Sequence, residues 1–168
     1  MELASFIRDI SDFPKEGIIF KDITPLLANP DAFNTCSEQL LQKINKPIDK
    51  VVCIDARGFF FGGILAQKLN AGFVPVRKKG KLPFDTIEES YTLEYGDDVL
   101  QIHKDAIQPG EKVLLHDDVL ATGGTASAVC KLIERLGGEI VQCNFIIDLS
   151  FLKGAEKLNY PVASVLTY

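Results

Sequence analysis

The sequence has no excess of positive charge and no long apolar run. Eighteen lysines and arginines stand against 23 aspartates and glutamates, which gives a formal net charge of −5 and a pI near 5.0. A nucleic acid or an anionic membrane surface is usually bound by a basic face, and this balance argues against one. No apolar segment approaches the roughly 20 residues that span a bilayer. We therefore expect no nucleic-acid partner and no membrane partner.

Paired cysteine motifs and a secretion signal are also lacking. Cys36, Cys53, Cys130 and Cys143 are scattered and form no CxxC pair, so neither a zinc site nor a disulfide framework is indicated. The first residues, MELASFIRDISDF, include acids early and lack the apolar core of a signal peptide. We therefore expect a cytoplasmic protein that works in a reducing compartment.

The composition is that of an ordinary globular domain. Hydrophobic residues make up 46% of the chain and charged residues 24%, both of which are typical globular values. A chain of 168 residues fits one domain that buries most of its apolar surface. We expect a single domain over residues 1–168, without internal repeats.

The most informative segment is residues 113–128, VLLHDDVLATGGTASA. An apolar run ends in Asp117 and Asp118, and the short loop 121–125 follows before a helical pattern begins. Backbone N–H groups at a helix N-terminus lack partners and bind phosphate, and glycines let the backbone approach its oxygens closely. The two carboxylates cannot face that phosphate, so we expect them to accept hydrogen bonds from ribose hydroxyls. The segment resembles the phosphoribosyl pyrophosphate (PRPP) motif of type I phosphoribosyltransferases.

Short apolar runs alternate with helical patterns along the chain, which predicts an α/β fold with an open, mainly parallel sheet and helices on both faces. Periodicity and turn signals place the elements. The predicted strands cover residues 50–55, 73–76, 113–116 and 140–149, and the predicted helices cover 31–44, 59–71 and 125–136.

The carboxyl ends of the predicted strands should form the ligand site, because open parallel sheets bind ligands there. Asp55, Arg77, Asp117 and Asp118 lie at those ends, so we expect them to converge. Too few strands precede residue 50 for a second domain, and we expect residues 1–49 to form a small N-terminal hood over the sheet.

Two groups of cations at this edge would suit a sugar diphosphate. Asp55-Ala56-Arg57-Gly58 puts an arginine and a helix-opening glycine at a strand end, which suits pyrophosphate. The run RKKGK at 77–81 puts four cations in five residues. Most charge runs are solvated loops, but this one directly follows a predicted strand. The roughly sixteen residues after this run, through Tyr95-Gly96, lack clear periodicity. A long irregular loop in a compact domain is often a lid, so we predict a mobile lid loop over residues 77–97.

Six segments together resemble the adenine phosphoribosyltransferase family over nearly the whole chain. They are FPKEGIIFKDITPLL, DARGFFFGG, VPVRKKGKLP, SYTLEYG, VLLHDDVLATGGT and DLSFLKGAEKL, in this order. The resemblance implies the type I phosphoribosyltransferase fold and the transfer of phosphoribose from PRPP to N9 of adenine. The products would be AMP and pyrophosphate, as in purine salvage. It also implies a homodimer and a requirement for Mg²⁺, held mainly by PRPP and water with no direct protein ligand.

The resemblance assigns residues to each part of the substrates. Its catalytic acid falls on Glu94, beside Tyr95, where a carboxyl holding a proton near N7 would stabilise the purine as it attacks. The base pocket falls on Ile18, Ile19, Phe20 and Lys21, with a further substrate contact at Leu149. Pyrophosphate falls on Arg57, Gly58, Arg77, Lys78 and Lys81, the ribose hydroxyls on Asp117 and Asp118, and the 5′-phosphate on Ala121, Thr122, Gly123, Gly124 and Thr125.

Three positions add detail to this assignment. The family usually has arginine where this chain has Lys21, and lysine cannot make a planar forked contact, which leaves the role of Lys21 open. His116 replaces the more common apolar residue before the acidic pair and receives no catalytic role. The resemblance also implies a cis peptide bond between Ala56 and Arg57.

Two other functions remain open on the sequence. One is a PRPP-binding regulator, but such proteins carry a DNA-binding module or a basic face, and only about fifty residues precede the first predicted strand here. The other is transfer to another purine base such as xanthine. Hypoxanthine-guanine enzymes have an aspartate where this chain has Ala121, so 6-oxopurine specificity is not expected.

Overall fold

The computed structural model describes residues 1–93 and 96–168. Within them, a seven-stranded sheet has the order β5-β6-β4-β3-β7-β8-β9. Its strands are β3 (Lys50–Ile54), β4 (Gly72–Lys78), β5 (Thr86–Leu93), β6 (Gly96–His103), β7 (Lys112–Leu120), β8 (Glu139–Asp148) and β9 (Val162–Thr167). The pairs β4–β3, β3–β7, β7–β8 and β8–β9 are parallel, whereas β6 pairs antiparallel with both β4 and β5. The predicted open, mainly parallel sheet is confirmed.

Helices cover both faces of the sheet, as predicted. Helix α4 (Gly124–Arg135) lies over one face, whereas α2 (Pro30–Gln42) and α3 (Gly58–Lys68) lie over the other. Strand β3 divides its side chains accordingly: Val52 and Ile54 pack into the α4 core, and Val51 and Cys53 into the opposite one. No helix of the described residues is long and apolar enough to cross a membrane.

The N-terminal segment forms its own small layer. Strands β1 (Arg8–Ser11) and β2 (Ile19–Asp22) pair as an antiparallel ribbon, and the short helix α1 (Thr24–Ala28) follows. Helix α2 begins where the sequence places it, because Pro30 fits the first helical position and the Asn29 side chain accepts a hydrogen bond from the Ala32 amide at 2.9 Å.

The expectation of an irregular stretch at 77–97 is wrong for most of the described residues there, since only 79–85 lie outside strands. Strand β4 continues through Lys78, and β5 pairs with β6 from Thr86 to Leu93. Residues 87, 89 and 91 are partly buried, while 88, 90 and 92 are exposed. The period of two is hard to see in the sequence because its inward face includes a glutamate, Glu89, which ion-pairs with Lys131 and Arg135 on α4.

Strand β7, beside the middle strand β3, also differs from its prediction, since it runs four residues past His116 to Leu120. Its pairing with β3 stops at His116, but its pairing with β8 continues to Leu120. One side of the last part of β7 is therefore free of a neighbouring strand. Asp117 and Asp118 lie within this overhanging part rather than after the strand.

Helix α3 approaches the sheet closely at Gly62. A Cβ on Gly62 would clash with the Cys53 side chain on β3 and would come within 3.2 Å of the Phe73 ring. Gly63, the next residue of the same helix, has no atom within 4 Å of the position its Cβ would take.

These neighbouring glycines give a matched pair of substitutions. We expect Gly62→Ala to lower the free energy of unfolding by about 1–3 kcal/mol, because overpacking forces the helix away from the sheet. Gly63→Ala should leave it unchanged or raise it by up to about 1 kcal/mol, through better helix propensity. Urea denaturation measures both. Removing the Cys53 side chain should restore most of the stability of Gly62→Ala, and equal stability of the two single variants would contradict the close approach.

Candidate active site

A cleft of about 410 Å³ opens beside the overhanging end of β7. It is lined by residues from β3, β4, β5, β6, β7 and the start of α4: Ile54, Asp55, Ala56, Arg57, Lys78, Tyr91, Leu100, Asp117, Asp118 and Thr125. A second cavity of about 170 Å³ adjoins it at residues 117–126. Of the four side chains predicted to converge, Asp55, Asp117 and Asp118 line the cleft, whereas Arg77 lies at its edge, in contact with Asp55.

The acidic pair forms the floor where the two cavities meet. Asp118 is only 2% exposed, and its amide donates to Oδ1 of Asp117 at 2.9 Å. Burial, together with the charge of Asp118, raises the pKa of Asp117 well above its ordinary value, and burial also raises the pKa of Asp118. Gly58 makes room for the pair, because a Cβ there would lie 3.0 Å from Oδ1 of Asp117.

Arg57 connects the acidic pair to the N-terminal segment. Its Nε lies 2.6 Å from Oδ2 of Asp118, and its guanidinium lies 4.8 Å from the centroid of the Phe20 ring. This positive charge opposes the rise in the pKa of both carboxyls. A cation over an aromatic face is attracted to it, so Arg57 joins the residues predicted for ribose and for the base.

The loop of residues 121–125, here called the phosphate loop, has the geometry expected of an anion-binding site. Gly123 has φ +82°, a left-handed conformation that suits glycine, and α4 begins at the next residue. The loop also packs tightly against the turn at Gly154, because a Cβ on either Gly123 or Gly154 would clash with the backbone of the opposite segment. The second cavity lies over the start of this helix, where free amides favour phosphate.

The predicted cations lie at different distances from the cleft. Arg77 donates from Nε to Oδ2 of Asp55 at 2.9 Å, and Lys78 pairs with Asp98 at 2.9 Å. Lys78 lines the cleft, whereas Arg77 reaches its edge through Asp55. Lys81 is exposed and lies outside the lining, and its carbonyl accepts from Arg77 at 3.3 Å.

The residues predicted for the base lie on β2 and just before it. Phe20 stacks edge-on with Phe13 at 5.2 Å, and Ile19 is 56% exposed. Lys21 points elsewhere: its ammonium pairs with Asp9 at 2.7 Å and lies 3.9 Å from the ring centroid of Tyr168. Ile18 is partly buried and, like Ile19, Phe20 and Lys21, does not line either cavity.

Leu149 is 9% exposed, and its amide donates to the carbonyl of Leu120 at 2.9 Å. It therefore lies beside the end of β7 but does not line either cavity. Glu94 and Tyr95 lie outside the described residues, so the assignment of the catalytic acid stays a prediction. The predicted cis bond at Ala56–Arg57 is wrong by one position, because the cis bond joins Asp55 and Ala56.

His116, left without a catalytic role, is fully buried beside Asn144. Its Nδ1 lies 2.7 Å from Oδ1 of Asn144, and burial lowers the pKa of the imidazole to about 4. The ring is therefore neutral near pH 7 and adds no positive charge behind the acidic pair.

Three hairpin residues in or beside the cleft were not assigned from the sequence. Tyr91, Asp98 and Leu100 come from the β5–β6 hairpin; Tyr91 and Leu100 line the cleft, and Asp98 pairs with Lys78. Tyr91 belongs to the recognised segment SYTLEYG, but its place in the site became visible only with the pairing of β5 on the sheet.

Comparisons with known proteins agree with this geometry. The family model of the phosphoribosyl transferase domain matches residues 22–163. Adenine phosphoribosyltransferase of Christiangramia forsetii is 61% identical over 170 residues, covering 100% of this chain and 99% of the relative. The crystal structure of the Rhodothermus marinus enzyme of that name is 54% identical, with a TM-score of 0.94 and coverage of 99% of this chain and 96% of the other.

A third relative was solved with ligands. Adenine phosphoribosyltransferase of Saccharomyces cerevisiae, complexed with an imino-altritol bisphosphate and adenine, is 42% identical, with a TM-score of 0.87 and coverage of 98% of this chain and 97% of the other. The family match, the sequence identity over the full length and the common fold all indicate a phosphoribosyltransferase. The chain therefore belongs to the phosphoribosyltransferase family and, within it, to the adenine phosphoribosyltransferases.

Proposed function

We propose that this protein transfers the phosphoribosyl group of PRPP to N9 of adenine, giving AMP and pyrophosphate in purine salvage. The observation that carries the proposal is the cleft in which the buried acidic pair and the phosphate loop meet, in a chain 61% identical over its full length to a named adenine phosphoribosyltransferase. One sugar phosphate would fill both cavities, with its hydroxyls on the carboxylates and its phosphate at the start of α4.

Each group of residues has a separate task in this reaction. The free amides of residues 121–125 bind the 5′-phosphate, and Asp117 and Asp118 accept hydrogen bonds from the ribose hydroxyls. Arg57, Arg77 and Lys78 lie toward the other side of the ribose site, where the pyrophosphate would leave, and Lys81 would reach it only after moving. Their charges stabilise the negative charge that grows on the leaving group.

The base would bind above C1′, between the sheet edge and the N-terminal segment. Phe20 offers an aromatic face for the purine, which requires Arg57 to leave the position it now occupies over that ring. Backbone groups of Ile18 and Ile19 would read the purine edge, and Leu149 would close the apolar side. Lys21, tied to Asp9 and Tyr168, would support β2 rather than touch the base.

Magnesium is the proposed cofactor. Mg²⁺ prefers six oxygen ligands, and no group of three or more potential metal ligands lies together in residues 1–93 and 96–168. Asp117 and Asp118 supply carboxylate oxygens at the cleft, so the diphosphate oxygens of PRPP and water would provide most or all of the ligands. Bound there, the ion would neutralise charge on the departing pyrophosphate.

We further infer a homodimer of the cytoplasm with no nucleic-acid or membrane partner. Phe60 on α3 and Phe73 on β4 are 48% and 39% exposed, and Phe73 packs against Phe59. Exposed aromatic clusters of this kind often lie in interfaces. The four cysteines are free and buried, which suits a reducing compartment.

A base-selectivity assay tests the function directly. Purified protein with PRPP and Mg²⁺ should convert adenine to AMP and leave hypoxanthine, guanine and xanthine unchanged. Chromatography of the nucleotide product distinguishes these outcomes. Xanthosine or inosine monophosphate as the main product would show that the substrate is another purine base and not adenine. The absence of any nucleotide product would favour a PRPP-binding regulator.

The acidic pair should control PRPP affinity. Changing Asp117 and Asp118 together to asparagine removes two charge-assisted hydrogen bonds, worth about 3–6 kcal/mol in total, or roughly 10²–10⁴-fold in Kd by calorimetry. The variant should unfold at no lower temperature, because the raised pKa of Asp117 shows that burial disfavours its charge. Unchanged PRPP affinity would remove the ribose assignment.

The same pair predicts a pH dependence. Ribose hydroxyls bind the ionised carboxylates, so PRPP affinity is complete above the raised pKa of Asp117 and is lost as the pH falls through it. The phosphates of PRPP also change protonation with pH, but this affects binding to the wild type and to the variant equally. The difference between wild-type and double-variant affinities should therefore shrink toward acidic pH, and a difference that stays constant would contradict this assignment.

Glu94→Gln tests the catalytic acid. Glutamine keeps the size of the side chain but cannot give up a proton, so the chemical step should slow by about 10²–10⁴-fold in single-turnover kinetics. Adenine and PRPP affinities should change little. Asp97→Asn is the control, because Asp97 is an exposed carboxyl on the same hairpin. Near-wild-type turnover in Glu94→Gln would end the assignment, and equal losses in binding and turnover would indicate a role in lid closure.

A further inference from the structure

Tyr168 lies between the two segments proposed to hold the base. Its amide donates to the carbonyl of Asp148 at 2.9 Å, and its main-chain oxygen accepts from the amide of Ser150 at 2.9 Å and from the hydroxyl of Ser150 at 2.8 Å. Asp148 and Ser150 flank Leu149 in the sequence. The ammonium of Lys21 lies 3.9 Å from the centroid of the Tyr168 ring. Tyr168 therefore contacts β2 with its side chain and the end of β8 with its backbone.

The ribbon of β1 and β2 depends on such contacts for its position. It forms a sheet of its own, separate from the seven-stranded sheet, and a two-stranded ribbon alone is only marginally stable. Successive side chains of a strand point to opposite faces, and β2 makes a contact on each face. Phe20 meets the guanidinium of Arg57, and Lys21 meets the ring of Tyr168. Each contact joins a cation to an aromatic ring.

The two contacts should respond differently to substrates. In the proposed reaction Arg57 leaves the Phe20 ring so that the purine can stack there. Lys21 and Tyr168 line neither cavity, so no substrate needs to displace them. The Lys21 side chain is only 11% exposed, and a partly desolvated cation is attracted to a ring more strongly than an exposed one. The contact between Lys21 and Tyr168 therefore remains to fix β2 while the base binds.

We propose that Tyr168 is a positioning residue for the base. Through Lys21 it holds β2, and with it Phe20, at the place where the purine stacks. Through its main-chain hydrogen bonds it holds the segment of Leu149 on the other side of the same site. The fit of the purine between these two walls thus depends on Tyr168. The residues proposed for PRPP lie elsewhere, so PRPP affinity does not. The inference rests on the proposed adenine site.

Steady-state kinetics with each substrate varied in turn test this role. Tyr168→Leu keeps the main-chain hydrogen bonds and an apolar side chain but loses the aromatic face. It should raise KM for adenine by about three- to tenfold, the range of one cation–π contact, with kcat and KM for PRPP within about twofold of the wild type. Lys21→Met removes the cation and should have the same effect. Because both changes remove one contact, the double variant should be no worse than either single variant.

Conservative variants separate the ring contact from the neighbouring ion pair. Tyr168→Phe keeps the ring and Lys21→Arg keeps the cation, so both should hold KM for adenine within about twofold of the wild type. Asp9→Asn is the matched control, because it removes the ion pair at 2.7 Å but leaves the ring contact. Asp9 is exposed, and exposed ion pairs contribute little. A rise in KM for adenine in Asp9→Asn equal to that in Lys21→Met would overturn the role of Tyr168.

Hydrogen exchange of the free protein tests the structural link without turnover. The amides of residues 19–22 should exchange faster in Tyr168→Leu and in Lys21→Met than in the wild type or in Asp9→Asn. An unchanged melting temperature checks that the fold is intact. If Tyr168→Leu fails to fold, Lys21→Met still tests the contact, because it changes no side chain of the core.

The outcomes distinguish this role from the proposed function. Faster exchange at residues 19–22 with an unchanged KM for adenine would overturn the positioning role and leave the proposed function standing. Equal increases in KM for adenine and for PRPP would also overturn it, because they would indicate a general loosening of the site. No formation of AMP by the wild type would instead remove the proposed function, and this role with it.

Discussion

Two adjacent carboxylates in an inner strand of the sheet are the constraint around which this site is organised. Burial raises the pKa of both Asp117 and Asp118, so the charge that would bind ribose hydroxyls is held at a cost in stability. Strand β7 can carry them because β3 stops short and leaves one side of the strand facing the cleft. Arg57 supplies the compensating positive charge.

Among the residues that the structure describes, the others packed around Asp117 and Asp118 add no positive charge, so Arg57 alone compensates the charge of the pair. His116, which precedes the pair on β7, is neutral near pH 7 because burial lowers its pKa to about 4. Gly58 brings the start of α3 against Asp117 without adding a charge. A ligand that draws Arg57 toward a pyrophosphate would therefore both expose Phe20 and increase the need of Asp118 for hydroxyl donors. Binding at one part of the site would then favour binding at the other parts.

Much of the fold and most of the site could be predicted from the sequence because their signals are local. The buried strands β3, β7 and β8 each contain short apolar runs, and α4 shows one apolar face between Thr125 and the glycines at 137–138. The hairpin could not be recognised in this way. Its inward positions include Glu89, and what makes that glutamate acceptable is a pair of cations on α4, some forty residues away in the chain. The extension of β7 past β3 likewise depends on the length of a neighbouring strand.

The contact between Gly123 and Gly154 has a consequence for how such a loop can change. A Cβ on Gly123 would clash with the Gly154 carbonyl, and a Cβ on Gly154 would clash with the Ala121 carbonyl. These are backbone atoms, so no side-chain change on the opposite segment can make room for either. The distance between the phosphate loop and the turn after β8 is thus fixed by contacts between their backbones. A change in either segment therefore requires a matching change in the other. Changes in substrate range must arise elsewhere, at the side chains of the N-terminal segment and the hairpin.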